Sequence, residues 1–348
     1  MNAENPNGSR YCPKVIMLTL AAFCLAFMVV VMGAYVRLSN AGISCPDWPT
    51  CYGHIGVPKS SNQIKKAEAA FPDAAKVEGH KAWKEMIHRY MAGSLGLMIF
   101  VITAYSIVKR KLFPKLFKLG VFLGVLVIFQ AALGAWTVTI KLMPIIVTSH
   151  LLFGFATLTT LWIMYFRQKR LVVIDEKVEG NGYSKLVMAG IIVLVMQIFL
   201  GGWTTSNYAQ FTCPDFPTCS NKQWLPVSDF KKGFEIHTDT SKNYENGLLK
   251  RPARVAIHMS HRIGALITFV LLLIIGLIAM FKKGYCALRS TGIAMLMVLA
   301  LQVALGITNV MLLIPVSVAA AHNGIGALLL LMMVTLYLRS RRASVTAN

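Results

Sequence analysis

Charge is scarce in this sequence, and acid most of all. Fourteen Asp and Glu stand against 35 Lys and Arg in 348 residues; charged residues total 14%, while 56% are hydrophobic. A soluble domain carries about 25% charge, so that class is excluded. No small-residue cleavage site follows the first apolar run, which is also too long for the core of a secretory signal, so it reads as a retained span. Polar residues are few at the middle of the apolar runs, which argues against the broken, polar-centred helices of a transporter. What the chain has instead is eight long apolar runs: roughly 15–36, 86–108, 117–138, 144–166, 186–206, 255–281, 287–313 and 315–338. About 20 such residues cross a bilayer as a helix, and lipid tolerates no open strand edge.

The net charge of +21 would suit nucleic acid if it formed one basic face. It crowds the connections between spans instead. Lys109, Arg110, Lys111, Lys115 and Lys118 lie in one, Arg167, Lys169 and Arg170 in another, and Lys282, Lys283 and Arg289 in a third. The tail adds Arg339, Arg341 and Arg342. This is the positive-inside pattern, with contacts to anionic membrane lipids. It predicts cytoplasmic N and C termini, no nucleic-acid partner, and two long outer loops at about 38–84 and 207–254.

Each outer loop opens with a short cysteine-bracketed turn, CPDWPTC at 45–51 and CPDFPTC at 213–219. On the oxidising side of a membrane, Cys45–Cys51 and Cys213–Cys219 read as disulfides. Pro46, Pro49, Pro214 and Pro217 restrict the turns. A zinc site is the rival reading, but zinc ligands usually show tighter spacing and further Cys or His. Cys12, Cys24 and Cys286 read as reduced thiols.

The turn repeats because a larger unit repeats. GAYVRLSNAGISCPDWPTC (33–51) aligns without a gap on GGWTTSNYAQFTCPDFPTC (201–219). EMIHR (85–89) pairs with HMSHR (258–262), FQAALGAWTV (129–138) with LQVALGITNV (301–310), and SHLLFGFATL (149–158) with AHNGIGALLL (321–330). The expected fold is an all-α integral membrane protein. Its eight transmembrane helices form two four-helix bundles, residues 1–170 and 171–348, related by a pseudo-two-fold axis along the membrane normal.

His88, His150, His261 and His322 fall in the even-numbered spans, within about two turns of the outer start. Ionisable groups at membrane depth are costly, and each marks a candidate site. Within a bundle, His88 can face His150, and His261 can face His322. Two neutral imidazoles across a bundle suit the two axial faces of haem iron. Gly93, Gly96, Gly154, Gly264, Gly324 and Gly326 lie nearby and either make room for a flat macrocycle or simply allow close helix packing. Arg89 and Arg262 follow two of the histidines, as partners for haem propionates or as snorkelling side chains. Glu85 shares a helix face with His88, near the interface where water reaches it. It is placed there for proton transfer or as an ion-pair partner of Arg89. The second half has His258 at that position, a competitor to His261 as ligand. Asp47 and Asp215 fit tight turns. Trp48 and Phe216 are placed to cover the haem edges, with the disulfide loops as lids. His54, His80 and His237 read as solvated loop residues.

These residues carry a resemblance. GAYVRLSNAGISCPDWPTCYG (33–53), Glu-x-x-His-Arg at 85–89, the duplicated units and the four histidines resemble the haem A synthase family over nearly the whole chain. The resemblance implies oxidation of a methyl group of haem O to a formyl group, giving haem A for terminal oxidases. It implies haem b as electron-transfer cofactor. His88 and His150 would then ligate the substrate haem O, and His261 and His322 the haem b iron; independently of the resemblance, a carboxylate beside one pair and not the other marks the first half as the reaction site, with Glu85 as catalytic group. It further implies the bacterial inner membrane, haem sites near the outer face, and as partners a haem O synthase, terminal-oxidase assembly factors and an electron donor. The alternative is a di-haem b-type electron carrier with no haem-modifying activity. Haem sites crowded near one face serve transmembrane electron flow poorly.

Overall fold

The computed structural model describes residues 12–72, 74–169, 181–236, 238–282 and 285–342. Arg170, Lys283, His237 and the division expected at 170/171 lie outside the described residues, as do the side chains of Arg341 and Arg342. Among the described residues every regular element is a helix: α1 (Pro13–Leu38), α2 (Ser61–Ala70), α3 (Gly79–Val108), α4 (Pro114–Thr139), α5 (Pro144–Gln168), α6 (Asn181–Ser206), α7 (Phe230–Gly233), α8 (Arg251–Phe281), α9 (Cys286–Met311) and α10 (Val316–Arg342). A short 3₁₀ turn, Ala209–Phe211, follows α6. All but α2 and α7 are long and apolar enough to cross a membrane, eight in number. The chain is therefore a multi-pass membrane protein. Proline opens α1, α4, α5 and α8, where a missing N–H costs nothing. The helices α3 and α8 start earlier than hydropathy indicates, because polar first turns (His80 and Lys81; Arg251 and Arg254) stand above the apolar run.

Helices α1, α3, α4 and α5 pack on one another, as do α6, α8, α9 and α10. The two sets meet along α1–α10 and α5–α6. Their shared core lies at the end of the short basic turns. Ile99, Ile102, Leu123, Leu158, Leu161, Met164, Leu272, Ile275, Met295, Met333 and Leu336 are all buried there. Small residues let the helices close up, as membrane packing requires. A Cβ on Gly292 of α9 would stand 2.6 Å from the Cβ of Ala279 on α8.

The other end carries the two long connections. In the first, α2 begins with a capping box between Ser60 and Gln63. Both cysteine turns are closed, with Cα–Cα distances of 4.7 Å for Cys45–Cys51 and 4.2 Å for Cys213–Cys219. Both contain a cis X-Pro bond, Trp48–Pro49 and Phe216–Pro217. The turns pack onto the tops of α3 and α8, beside Met86 and Met259. Cys12, Cys24 and Cys286 are free. Alkylation of unreduced protein, mapped by mass spectrometry, is expected to label those three alone. The other four should react only after reduction. Label on Cys45, Cys51, Cys213 or Cys219 before reduction would contradict the pairing.

Candidate functional site

His88 on α3, His150 on α5, His261 on α8 and His322 on α10 line one cavity of about 1760 Å³. Ligand pockets typically hold about 300–1,000 Å³, so two sizeable ligands fit. The wall is apolar, drawn from both sets of helices, and continues into both disulfide turns through Trp48, Pro49, Phe216 and Pro217. The solid core lies towards one end of the bundle and this hollow towards the other.

Each histidine ring lies against a glycine of another helix. A Cβ on Gly33 of α1 would come within 3.0 Å of His88 Cε1. For Gly134 of α4 and His150 the distance is 3.2 Å, for Gly201 of α6 and His261 it is 3.2 Å, and for Gly306 of α9 and His322 it is 3.1 Å. Gly33 matches Gly201 in the repeat, and Gly134 matches Gly306. These are not the glycines singled out from sequence. Gly93, Gly96, Gly154 and Gly326 line the cavity itself; Gly93 and Gly96 meet no atom within 4 Å, Gly154, Gly264 and Gly326 face Gln130, Gln197 and Gln302, and Gly324 faces Val31.

His88 and His150 are close enough for charge on one ring to act on the other, as are His261 and His322. The Nδ1 atoms of His88, His150 and His322 are buried without a hydrogen-bond partner. Buried polar atoms are rarely left so. No group of three or more His, Cys, Asp or Glu converges among the described residues, so each pair offers two imidazoles alone. Paired imidazoles on one cavity, a glycine behind each ring and an apolar wall fit a bis-histidine haem.

Arg89 donates to the carbonyls of Asp47 at 2.8 Å and Thr50 at 2.6 Å, and pairs with Glu85 at 2.5 Å. Arg262 repeats the clamp, donating to Asp215 at 2.9 Å, Thr218 at 2.8 Å and Cys213 at 2.7 Å. Both guanidiniums thus tie a disulfide turn to its helix. Glu85 differs from expectation. It is not at a water-accessible interface but only 4% exposed, and it accepts from the Cys45 N–H at 3.0 Å. The turn folds over it, which hydropathy does not reveal. His258, its counterpart, is buried, and its Nδ1 has no hydrogen-bond partner. Asp47 holds its own turn, accepting from the Thr50 hydroxyl and from the N–H groups of Tyr52 and Gly53. Burial works to raise its pKa, but those bonds outweigh it and hold the carboxyl below its usual range. His54 is exposed in the first loop, while His80, expected in that loop, is exposed on the first turn of α3.

Residues 16–334 match the family described as cytochrome oxidase assembly protein, COX15-CtaA. The chain belongs to that family. It is 43% identical over 311 residues, 89% of this chain and 91% of the relative, to the protein named "Heme A synthase" of Shewanella oneidensis. It is 24% identical to the one so named in Shouchella clausii, over 82% of each chain. With that of Flavobacterium psychrophilum the identity is 24%, over 91% of this chain and 95% of the other.

Sequence reasoning missed the four glycines behind the rings and three glutamines beside them. Gln197 Nε2 lies 2.9 Å from His261 Nδ1, Gln302 Nε2 lies 3.3 Å from His322 Nε2, and Gln130 donates to the His150 carbonyl at 2.8 Å. The matched motif FQAALG/LQVALG holds Gln130 and Gln302 together with Gly134 and Gly306, and was the one available signal. Overpacking a tight contact costs about 1–3 kcal/mol. Gly201→Val is therefore expected to displace the His261 ring and lower pigment bound per protein, read by absorbance. Gly79→Ala, at the start of α3, which meets nothing within 4 Å and does not line the cavity, should retain it. Equal retention by both would remove Gly201 from the site.

Proposed function

We propose that this member of the family is a haem A synthase, an oxidoreductase that converts a methyl group of haem O to a formyl group with haem b as electron-transfer cofactor. The observation that carries the reading is the doubled site: two imidazole pairs, each ring backed by a glycine, in one cavity. The relatives' printed name, "Heme A synthase", names the product, and the methyl oxidation is what the resemblance implies. Residues 1–170 would hold the substrate through His88 and His150, and residues 171–348 the haem b through His261 and His322. The swapped contacts α1–α10 and α5–α6 support a pseudo-two-fold axis along the membrane normal. The basic turns support cytoplasmic termini, which puts the cavity near the outer face of a bacterial inner membrane. A haem O synthase, terminal-oxidase assembly factors and an electron donor are the implied partners.

Bound haem supplies the iron-centred redox chemistry. The chain supplies position, dryness and a proton site. The glycines set the depth of each ring. The disulfide turns, held by Arg89 and Arg262, wall the cavity from water with Trp48 and Phe216. The guanidiniums of those arginines stand near the turns, where propionates would reach them. Glu85 marks the first half as the reaction site, because the second half has no carboxylate there. Its Oε1 faces Arg89 and its Oε2 the Cys45 N–H, so the carboxylate is fixed to hold or pass a proton at the cavity wall.

Extraction of the bound pigment tests the reading. Haem B together with haem O or haem A supports it; two equivalents of haem B alone would point to an electron carrier. His261→Met or His322→Met should lower bound haem b. His88→Met or His150→Met should abolish haem A formation with haem b kept. Equal haem b loss from all four would defeat the division between halves.

Glu85→Gln keeps an acceptor for Cys45 and removes the charge. Breaking a buried pair costs about 3–5 kcal/mol, but Arg89 retains its carbonyl acceptors. The variant is expected to assemble with haem b and to lose roughly 10²–10⁴-fold in turnover, the scale of a lost proton-transfer group. Near-normal haem A formation, with haem O supplied and haem b occupancy confirmed, would leave Glu85 a structural partner of Arg89.

A further inference from the structure

Three of the four histidine corners share a second device besides the glycine behind the ring. A glutamine reaches each of them, at the His150 carbonyl, at His322 Nε2 and, for His261 alone, at the ring Nδ1, and a second glycine leaves space for its amide. At His150 the pair is Gln130 and Gly154, where a Cβ on the glycine would meet Gln130 Nε2 at 3.2 Å. At His322 it is Gln302 and Gly326, at 3.3 Å. At His261 it is Gln197 and Gly264, where the Cβ would stand 2.4 Å from Gln197 Oε1. The second-half pair is the most closely built. Gln197 Nε2 touches both His261 Nδ1 at 2.9 Å and the His261 carbonyl at 3.0 Å.

The repeat places Val29 where Gln197 stands and Met91 where Gly264 stands. Val29 lies four residues before Gly33, as Gln197 lies four before Gly201, so it shares the face that meets the histidine. Val29 lines the cavity, and His88 Nδ1 has no hydrogen-bond partner, as is also true of His150 and His322; His261 alone has its Nδ1 met by a side chain. Both changes go together: without the amide there is no need for the glycine.

We infer that Gln197 and Gly264 lock the His261 ring as a permanent ligand, and that Val29 and Met91 leave His88 as the releasable ligand of the first half. A ring that ligates metal through Nε2 carries its proton on Nδ1 and needs an acceptor there. Gln197 Oε1 is buried and without a partner; turning the amide over presents it to Nδ1, in exchange for the bond that Nε2 donates to the His261 carbonyl. Such outer partners fix the ring and raise its basicity, and losing them typically costs about 10–100-fold in metal affinity. The inference rests on the reading above, in which the first half exchanges a substrate tetrapyrrole at each turnover and the second keeps its cofactor. A braced ligand suits the second task and an unbraced one the first. Gln197 and Val29 are positioning residues, acting only through the histidines.

The test is release of tetrapyrrole from the purified full chain to excess apoglobin, with the transferred pigment identified by chromatography. In the parent protein, haem O or haem A is expected to leave faster than haem B. Exchanging the second-half pair, Gln197→Val with Gly264→Met, should speed haem B release about 10–100-fold and leave first-half release unchanged. The reverse exchange, Val29→Gln with Met91→Gly, should slow release of haem O or haem A. That is a gain which a purely structural role would not give. Gln197→Leu preserves bulk and keeps Gly264, so it should speed haem B release even where the double variant fails to fold. Unchanged rates in Gln197→Leu and in the reverse exchange would overturn the inference, as would equal acceleration in both halves. Haem B as the sole pigment would overturn the functional reading instead, and the exchanges would still show whether release follows the glutamine–glycine pair.

Discussion

Four imidazole rings press against four glycines, and the hollow end of the bundle is arranged around those contacts. A side chain of any size at Gly33, Gly134, Gly201 or Gly306 would occupy the space the ring needs. The contacts require α1 to lie beside α3, α4 beside α5, α6 beside α8 and α9 beside α10, which is how the helices pack. They also require the helices to be held apart around the cavity without collapsing. The dense core at the opposite end does this, because well-packed side chains resist further closure. The disulfide turns complete the wall, and the arginine one position after His88 and after His261 fastens each turn in place.

Much of this was legible in the sequence because membranes make patterns coarse. Eight spans follow from the cost of unpaired backbone in lipid, and the duplicated motifs show before any coordinates. The four histidines stand out because ionisable groups at that depth are expensive. The glycines behind them did not, since their role depends on neighbours in space. Gly93 and Gly96 are nearer to His88 in sequence, yet Gly33 on another helix is the one that touches it. The burial of Glu85 was hidden for the same reason. Position on a helix places it near an interface, but the turn from Cys45 to Cys51 folds over it and gives it a hydrogen bond. Arg89 and Arg262, read as partners for an anionic group, spend their donors on turn carbonyls, and an arginine fork serves either purpose equally well.

The two copies keep the frame and differ at one corner. Ring-backing glycines, the His150/His322 glutamines, the clamping arginines and the turns recur in both. The differences gather about His88. Glu85 replaces His258 three residues before it, Val29 replaces Gln197 beside the ring, and Met91 replaces Gly264 three residues after it. Each change removes a brace or adds a carboxylate. Three corners have a glutamine near the histidine, though only Gln197 meets a ring Nδ1; the fourth has no glutamine and has a carboxylate beside it. A permanent cofactor needs neither change. A site that must admit a substrate, act on it and release it gains from both: a ligand that lets go, and an ionisable group fixed at the cavity wall. The chemistry of the chain is therefore concentrated where the symmetry of its two halves fails.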